Sequence, residues 1–151
     1  MATIITAYDH LWRLTKTGGL NLETAQIRLR MVTSGYLFNV GHELWDNGLS
    51  NSTNPSHHEV SPGDGYVAGG KLLENPDVSN TRITYDDVVW ESLTKTFRGL
   101  VGVAIGEYDG ITDPLLFYLL PDSTPADIVS NGSNYSVIWN VTNGVFYRPA
   151  L

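Results

Sequence analysis

The chain lacks cysteine and is poor in basic residues. The absence of cysteine from its 151 residues excludes disulfides, thiolate metal sites and cysteine nucleophiles, and it fits folding in a reducing compartment. The 9 Lys and Arg residues are scattered and are outnumbered by 16 Asp and Glu, which gives a formal net charge of −7. Because nucleic-acid binding needs clustered Lys and Arg to neutralise phosphates, we expect no nucleic-acid partner. For the same reason we expect no binding to an anionic membrane surface.

Long apolar runs are also missing. No stretch of the sequence approaches the roughly 18 consecutive apolar residues of a membrane-spanning helix. The first residues, MATIITAYDHLWRLTK, lack the basic segment and the small-residue cleavage site of a signal peptide. We therefore expect synthesis in the cytosol and no membrane partner.

Residues 1–20 are predicted to form a short helix or a docking arm. Within this segment Tyr8, Leu11 and Trp12 recur at helical spacing. The pair Gly18-Gly19 then ends the helix.

Residues 21–151 are predicted to form a single β domain. Residues 24–32 alternate as in a strand with one solvated face, with Ile27, Leu29 and Met31 on one side and Arg28 and Arg30 on the other. Residues 41–48 are interpreted as one helical turn, and residues 49–65, rich in Ser, Asn, Pro and Gly, as a long loop.

The rest of the chain is a series of segments rich in β-branched and aromatic residues. They read YVAGGKLL, NTRITY, DVVWES, TKTFRGLVGVAIGEY, PLLFYLLP, YSVIWNV and GVFYRPAL. Turn signals separate them at Asn75-Pro76-Asp77, Asp109-Gly110, Pro121-Asp122, Asn131-Gly132 and Asn143-Gly144, the last a strong hairpin signal. This spacing predicts an all-β fold, an antiparallel β-sandwich or flattened barrel.

Three histidines near residues 42–59 raise the possibility of a metal site. His42 and Glu43 begin the His-Glu-x-x-His pattern of zinc hydrolases, but the second histidine is missing. His57 and His58 are adjacent and would point to opposite faces of an extended segment. At most one of them could therefore join His42 and Glu43 around a metal, and His58 is taken as that one. We therefore predict no metal or other cofactor and keep His42, Glu43 and His58 as the only weak candidates.

Other possible sites are incomplete. The segment from Gly65 to Lys71 does not complete a phosphate loop, because Leu72 occupies the place of the magnesium-binding hydroxyl. The acidic residues of EYDGITD, at 107–113, lack the full set of a calcium loop. No Gly-x-Ser-x-Gly motif or Ser-His-Asp arrangement is visible, so we predict a protein without enzymatic activity.

The aromatic residues fall into two groups. Five lie in strand patterns and are interpreted as core: Trp90, Phe97, Phe117, Trp139 and Phe146. Four others are candidates for contact with a partner: Tyr8 and Trp12 on the N-terminal segment, and Trp45 and Tyr66 beside the long loop.

Several segments together resemble a family of small virion proteins of tailed bacteriophages. They are Glu59-Val60 with Gly65-Tyr66 and Ala68-Gly69-Gly70, Asp86-Asp87-Val88 with Trp90, the strand 94–98, Asp113-Pro114-Leu115, and Trp139 to Gly144. The resemblance covers about residues 25–147. It implies a structural part of the particle, with decoration or cementing of the capsid exterior as the expected role and a component of the neck, tail or fibre base as the near alternative.

The expected partners follow from that resemblance. They are the major capsid protein or other virion proteins and further copies of the chain, in a virion assembled in the bacterial cytoplasm. A different class of function is a sandwich-type carbohydrate-binding module, whose aromatic platform would consist of Trp45, Tyr66 and Tyr85.

Overall fold

The computed structural model describes residues 3–139 and 144–147, which form antiparallel sheets and one short helix. The elements are β1 (Ile4–Ala7), α1 (Leu11–Lys16), β2 (Ile27–Val32), a 3₁₀ turn (Pro55–His58), β3 (Lys71–Leu72), β4 (Asp77–Val78), β5 (Arg82–Thr84), β6 (Val88–Phe97), β7 (Gly99–Ala104), β8 (Glu107–Tyr108), β9 (Ile111–Thr112), β10 (Leu115–Leu120), β11 (Ile128–Val137) and β12 (Phe146–Tyr147). Among the described residues no sheet closes into a barrel, so the sandwich form of the predicted all-β fold is confirmed.

A five-stranded sheet forms the centre of the domain, in the order β1-β10-β7-β2-β3. Every residue of β7 is buried, as are the first five residues of β10. A strand that alternates its side chains between two faces can be buried throughout only if both faces are covered. The central sheet is therefore covered on both sides.

The first face of this sheet packs against the two-stranded β6–β11 ribbon and α1. The large apolar cluster between them combines alternate residues of β2 with the inner side of the ribbon, including Ile27, Leu29, Trp90 and Phe97. The small β12-β5-β4 sheet borders the same cluster through Ile83 and Phe146.

The second face is covered by residues 33–59, here named the covering loop. A smaller cluster joins Val101 and Val103 of β7 to Tyr36 and Trp45 of the loop. Arg30, on the β2 face that was predicted to be solvated, places its guanidinium 4.7 Å from the centre of the Trp45 ring, a cation–π contact. The prediction of one solvated face on β2 is therefore wrong at Arg30, over which the covering loop lies, and Arg28 on the same face is half-buried.

The N-terminal segment is part of the domain. All four residues of β1 pair in antiparallel register with β10, from Ile4 opposite Leu120 to Ala7 opposite Phe117. Leu11 and Leu14 of α1 belong to the large core cluster. The short helix is confirmed, but the interpretation of residues 1–20 as a separate arm is contradicted by this pairing and packing.

Local predictions had mixed outcomes. The strands predicted at 24–32 and 114–121 are present as β2 and β10, and Asp109-Gly110 turns between β8 and β9 with both residues at positive φ. The turn predicted at Asn131-Gly132 is instead an irregularity within β11.

Three further element predictions need correction. Residues 41–48 contain no helical turn. Residues 66–70 form a turn before β3 and not the start of a strand. The segment from Thr94 to Tyr108 is divided at Arg98 between β6 and β7, which belong to different sheets. Asn143 of the predicted last hairpin lies outside the described residues.

Candidate functional site

A buried relay of hydrogen bonds holds the start of the covering loop on the sheet. The Tyr8 and Tyr36 hydroxyls are 2.8 Å apart, and the Tyr36 hydroxyl lies 2.9 Å from Nδ1 of His42. Burial raises the pKa of Tyr36 to about 12 and raises that of Tyr8 further still. Both tyrosines are therefore neutral hydrogen-bonding groups that join β1 to the loop.

The middle of the covering loop is organised around Asn54, a polar residue that is only 3% exposed. Its side-chain amide donates to Oδ1 of Asp46 at 3.0 Å and to the Leu49 carbonyl at 2.8 Å. Its side-chain oxygen accepts from the Asn47 backbone N–H at 3.1 Å. The Gly48 backbone N–H and the Asn54 amide lower the pKa of Asp46 by stabilising its ionised form. These bonds give the loop a defined shape.

The end of the covering loop is fixed by Glu59. Its Oε2 accepts from the Tyr66 hydroxyl at 2.8 Å and from the Gly69 backbone N–H at 2.7 Å. The Tyr66 hydroxyl in turn accepts from the Met31 backbone N–H at 3.1 Å. The conspicuous segment from Glu59 to Gly70 thus has a structural role, fastening the loop and the following turn to β2.

The outer side of the covering loop presents apolar side chains to solvent. Leu37 is 64% exposed and Leu49 is 52% exposed. The two belong to one folded unit, because Leu37 N–H donates to the Ser52 carbonyl and the Leu49 carbonyl accepts from Asn54. Val40 adds a third exposed apolar side chain on the same loop.

A second surface feature lies on the opposite side of the central sheet. A cleft of about 210 Å³ is lined by Trp12, Val78, Ile83, Phe146 and the turn 79–82, and is here named the Trp12 cleft. Trp12 is 54% exposed, and its ring centroid lies 6.5 Å from that of Phe146 at an interplanar angle of 62°. Phe146 and Ile83 pack on the first-face cluster, which places the cleft away from the covering loop.

The predicted partner contacts have different outcomes. Tyr8, Trp45 and Tyr66 are 0%, 6% and 2% exposed, so the prediction that they contact a partner is wrong. Each lies in an apolar cluster of this chain. Tyr85 is also buried, so the aromatic platform proposed for a carbohydrate is not accessible. Trp12 is the one candidate of the four whose side chain is exposed.

The weak metal candidates do not converge. His42 bonds to Tyr36, Glu43 lies 3.7 Å from both His10 Nδ1 and an Arg13 nitrogen, and His58 bonds to the Asn51 carbonyl. The part of the chain that the structure describes contains no group of three metal-ligating side chains. In the same part, no helix is long and apolar enough to cross a membrane.

The acidic residues of the predicted turn at 107–113 bond within the fold. Asp109 pairs with Arg13 at 2.8 Å, which ties the β8–β9 hairpin to α1. Asp113 accepts from the Gly106 backbone N–H at 2.9 Å. These bonds give both carboxylates a structural role.

Sequence reasoning missed two surface features. They are the exposed leucines of the covering loop, Leu37 and Leu49, and the polar residues 79–82 that line the Trp12 cleft. Leu49 stands alone between Gly48 and Ser50, and Leu37 lies between two aromatic residues, Tyr36 and Phe38; neither pattern shows from sequence which of these side chains remains exposed. Residues 79–82 are polar in sequence, and only the folded chain brings them to Trp12. No protein-family model, curated protein or solved structure matches the chain.

The Tyr8–Tyr36–His42 relay predicts a pH dependence of stability. Burial lowers the pKa of His42, so below its ordinary pKa of about 6.5 the unfolded chain binds more protons than the folded one. This contribution to stability is complete above about pH 6.5 and is lost as the pH falls.

We expect the melting temperature to fall less between about pH 7.5 and pH 5 in His42→Gln, which keeps an acceptor for Tyr36 without a titrating ring. Circular dichroism at each pH measures this. His57→Gln, at an exposed histidine, is the matched control and should follow the unmodified chain. The same fall in melting temperature with pH in the unmodified chain, His42→Gln and His57→Gln would contradict the role given to His42.

Proposed function

We propose that the chain is a non-enzymatic structural protein of a phage virion that docks on the outer surface of the head through the covering loop and stabilises the shell. The observation that carries the proposal is a fastened loop with exposed apolar side chains. Exposed apolar surface rimmed by polar residues is typical of protein–protein contact sites. The resemblance of residues 25–147 to small virion proteins supplies the class of partner.

The order of the covering loop favours binding. A loop that becomes ordered only on binding loses conformational entropy at that moment, which lowers affinity. Here the bonds of Asn54 and Glu59 exist within the chain itself. Leu37 and Leu49 are thus presented on a shaped surface, and their burial can contribute directly to affinity.

Stabilisation of the shell follows from binding the assembled state. A protein that binds the assembled shell and not its free subunits shifts the equilibrium toward the shell by mass action. Many copies on a repeating lattice, or a homo-oligomer with several docking loops, add avidity to modest individual contacts. The net charge of −7 suits the exterior of the head better than a surface facing DNA.

The docking surface is tested by the double variant Leu37→Ser/Leu49→Ser. Burying each leucine is worth about 1.5–3 kcal/mol, so loss of both should weaken binding to particles by about a hundredfold or more. Both side chains are exposed, so the melting temperature should change little. The measurement is co-sedimentation of purified protein with virions of the encoding phage that lack it.

The matched control is Val129→Ser, at an apolar residue of β11 that is 71% exposed and lies outside the covering loop. We expect it to bind particles as the unmodified chain does. Undiminished binding by the folded double variant would refute docking through the covering loop. No association of the unmodified chain with particles would refute the virion role itself.

A further inference from the structure

We infer that the Trp12 cleft is a binding site for one neutral hexopyranose ring, either free or within a glycan. The cleft combines an exposed indole with hydroxyl, amide and guanidinium side chains on the turn 79–82. It is separate from the covering loop, so the inference does not rest on the proposed docking to a shell.

The indole of Trp12 is the platform of this site. The other three tryptophans, Trp45, Trp90 and Trp139, are at most 6% exposed, whereas Trp12 is 54% exposed on a helix whose Leu11 and Leu14 are fully buried. The edge-to-face contact with Phe146 orients the ring. The electron-rich face of an aromatic ring attracts polarised hydrogens, and the C–H groups on one side of a pyranose ring present such hydrogens.

The β4–β5 turn supplies the polar wall. Ser79 Oγ accepts from the backbone N–H groups of Thr81 at 3.3 Å and Arg82 at 3.2 Å, which fixes the turn. Asn80 and Thr81 line the cleft, beside Arg82, whose guanidinium lies 3.4 Å from Asp77. Amide and hydroxyl groups both donate and accept hydrogen bonds, as sugar hydroxyls require.

Size and charge narrow the ligand class. A cleft of about 210 Å³ is below the roughly 300–1,000 Å³ of pockets that enclose a drug-sized ligand, and therefore suits a single ring whose neighbours remain in solvent. The carboxylate of Asp77 beside Arg82 and the net charge of −7 disfavour acidic sugars. The open site predicts a dissociation constant on the order of 1 mM for one ring, and a polymer bound by several copies gains avidity.

The test uses the full chain and the fluorescence of its exposed indole. Probes are the methyl pyranosides of glucose, mannose, galactose and N-acetylglucosamine, with dextran as a polymer. We expect at least one monomeric probe to protect Trp12 from iodide quenching with saturation near 1 mM. Stronger protection by dextran would indicate a polysaccharide ligand, and equal protection would indicate a free sugar, each consistent with the site.

Variants separate sugar binding from structure. Trp12→Ala should abolish the sugar-induced NMR shifts of residues 79–82, and Trp12→Phe should retain part of the affinity measured by the same shifts. Asn80→Ala/Thr81→Val, which leaves the indole in place, should weaken binding about tenfold or more, so the test does not depend on the folding of Trp12→Ala. Val129→Ala should bind normally.

Three results would overturn the inference. They are the absence of saturable protection by every sugar, sugar binding that survives both cleft variants, and tighter binding of a short aromatic peptide than of any sugar at the same residues. The last would make the cleft a protein-docking site.

Discussion

Deletion of residues 1–20 is expected to unfold the domain. The deletion removes β1, an edge strand with four pairs to β10, and leaves that strand of the central sheet with an open edge. It also removes four buried apolar side chains, Tyr8, Leu11, Leu14 and Leu20, each at most 3% exposed. The expected effect is loss of the folded state, because this segment completes both core clusters.

The burial free energy that the deletion removes is large enough to support this expectation. Burial of a large apolar side chain contributes about 1.5–3 kcal/mol, so four of them contribute about 6–12 kcal/mol. The net stability of a domain is about 5–15 kcal/mol. Circular dichroism and one-dimensional NMR of the truncated chain should show no cooperative unfolding transition, whereas full-length Trp12→Ala should keep it. A truncated chain that melts cooperatively near the temperature of the full chain would restore the interpretation of residues 1–20 as a separate arm.

The Gly70→Ala variant is expected to show the second large effect. Gly70 has φ +68°, a region in which L side chains are strained. A Cβ at this position would overlap the backbone carbonyl of Leu29 in β2, and a backbone group in a sheet cannot move aside cheaply. Overpacking and strain together should cost at least about 3 kcal/mol. For a chain of this size that lowers the melting temperature by about 6–12 °C.

The adjacent glycine provides a matched control. Gly69 also has positive φ, +89°, but its nearest neighbour to an added Cβ is an Arg28 side-chain nitrogen at 4.0 Å. Gly69→Ala should therefore lower the free energy of unfolding only by the strain of an L residue at positive φ, about 1–2 kcal/mol. Urea unfolding of the two variants measures the difference. Equal destabilisation would contradict the close approach of the turn to β2.

The strands that were predicted best are those whose own residue pattern is enough to identify a strand. β2 alternates apolar and basic residues, and β10 is a short apolar run between two prolines, so both could be located without tertiary information. The Asp109-Gly110 turn could be predicted because its two residues tolerate positive φ. The same signal failed at Asn131-Gly132, since a glycine with positive φ also suits an irregularity within a strand.

The covering loop could not be predicted because its order depends on distant contacts. A polar segment such as 46–54 normally indicates a solvated loop, yet here Asn54 is buried, and its side chain bonds to Asn47 and Leu49 before it and to Ser56 after it. The burial of Trp45 likewise depends on Arg30 and the second face of the sheet. Arg28 and Arg30 suggested a solvated face because sequence alone does not show what covers a strand.

The candidate surfaces were partly predictable. Trp12 could be proposed as a contact residue because a large aromatic residue on a short helix is either core or interface. Tyr8 had the same signal, but it lies after β1 and joins the relay to Tyr36. The polar wall of the Trp12 cleft is about 70 residues away in sequence, and no local pattern connects the two.

If the proposed function is right, a phage encodes this chain, and a cryo-electron microscopy reconstruction of that phage's virions tests the proposal most directly. The account predicts density for this domain on the outer surface of the head, with Leu37 and Leu49 of the covering loop against the shell and the Trp12 cleft facing solvent. Density confined to the neck, tail or fibre base, or a head-bound domain whose covering loop faces solvent, would contradict it.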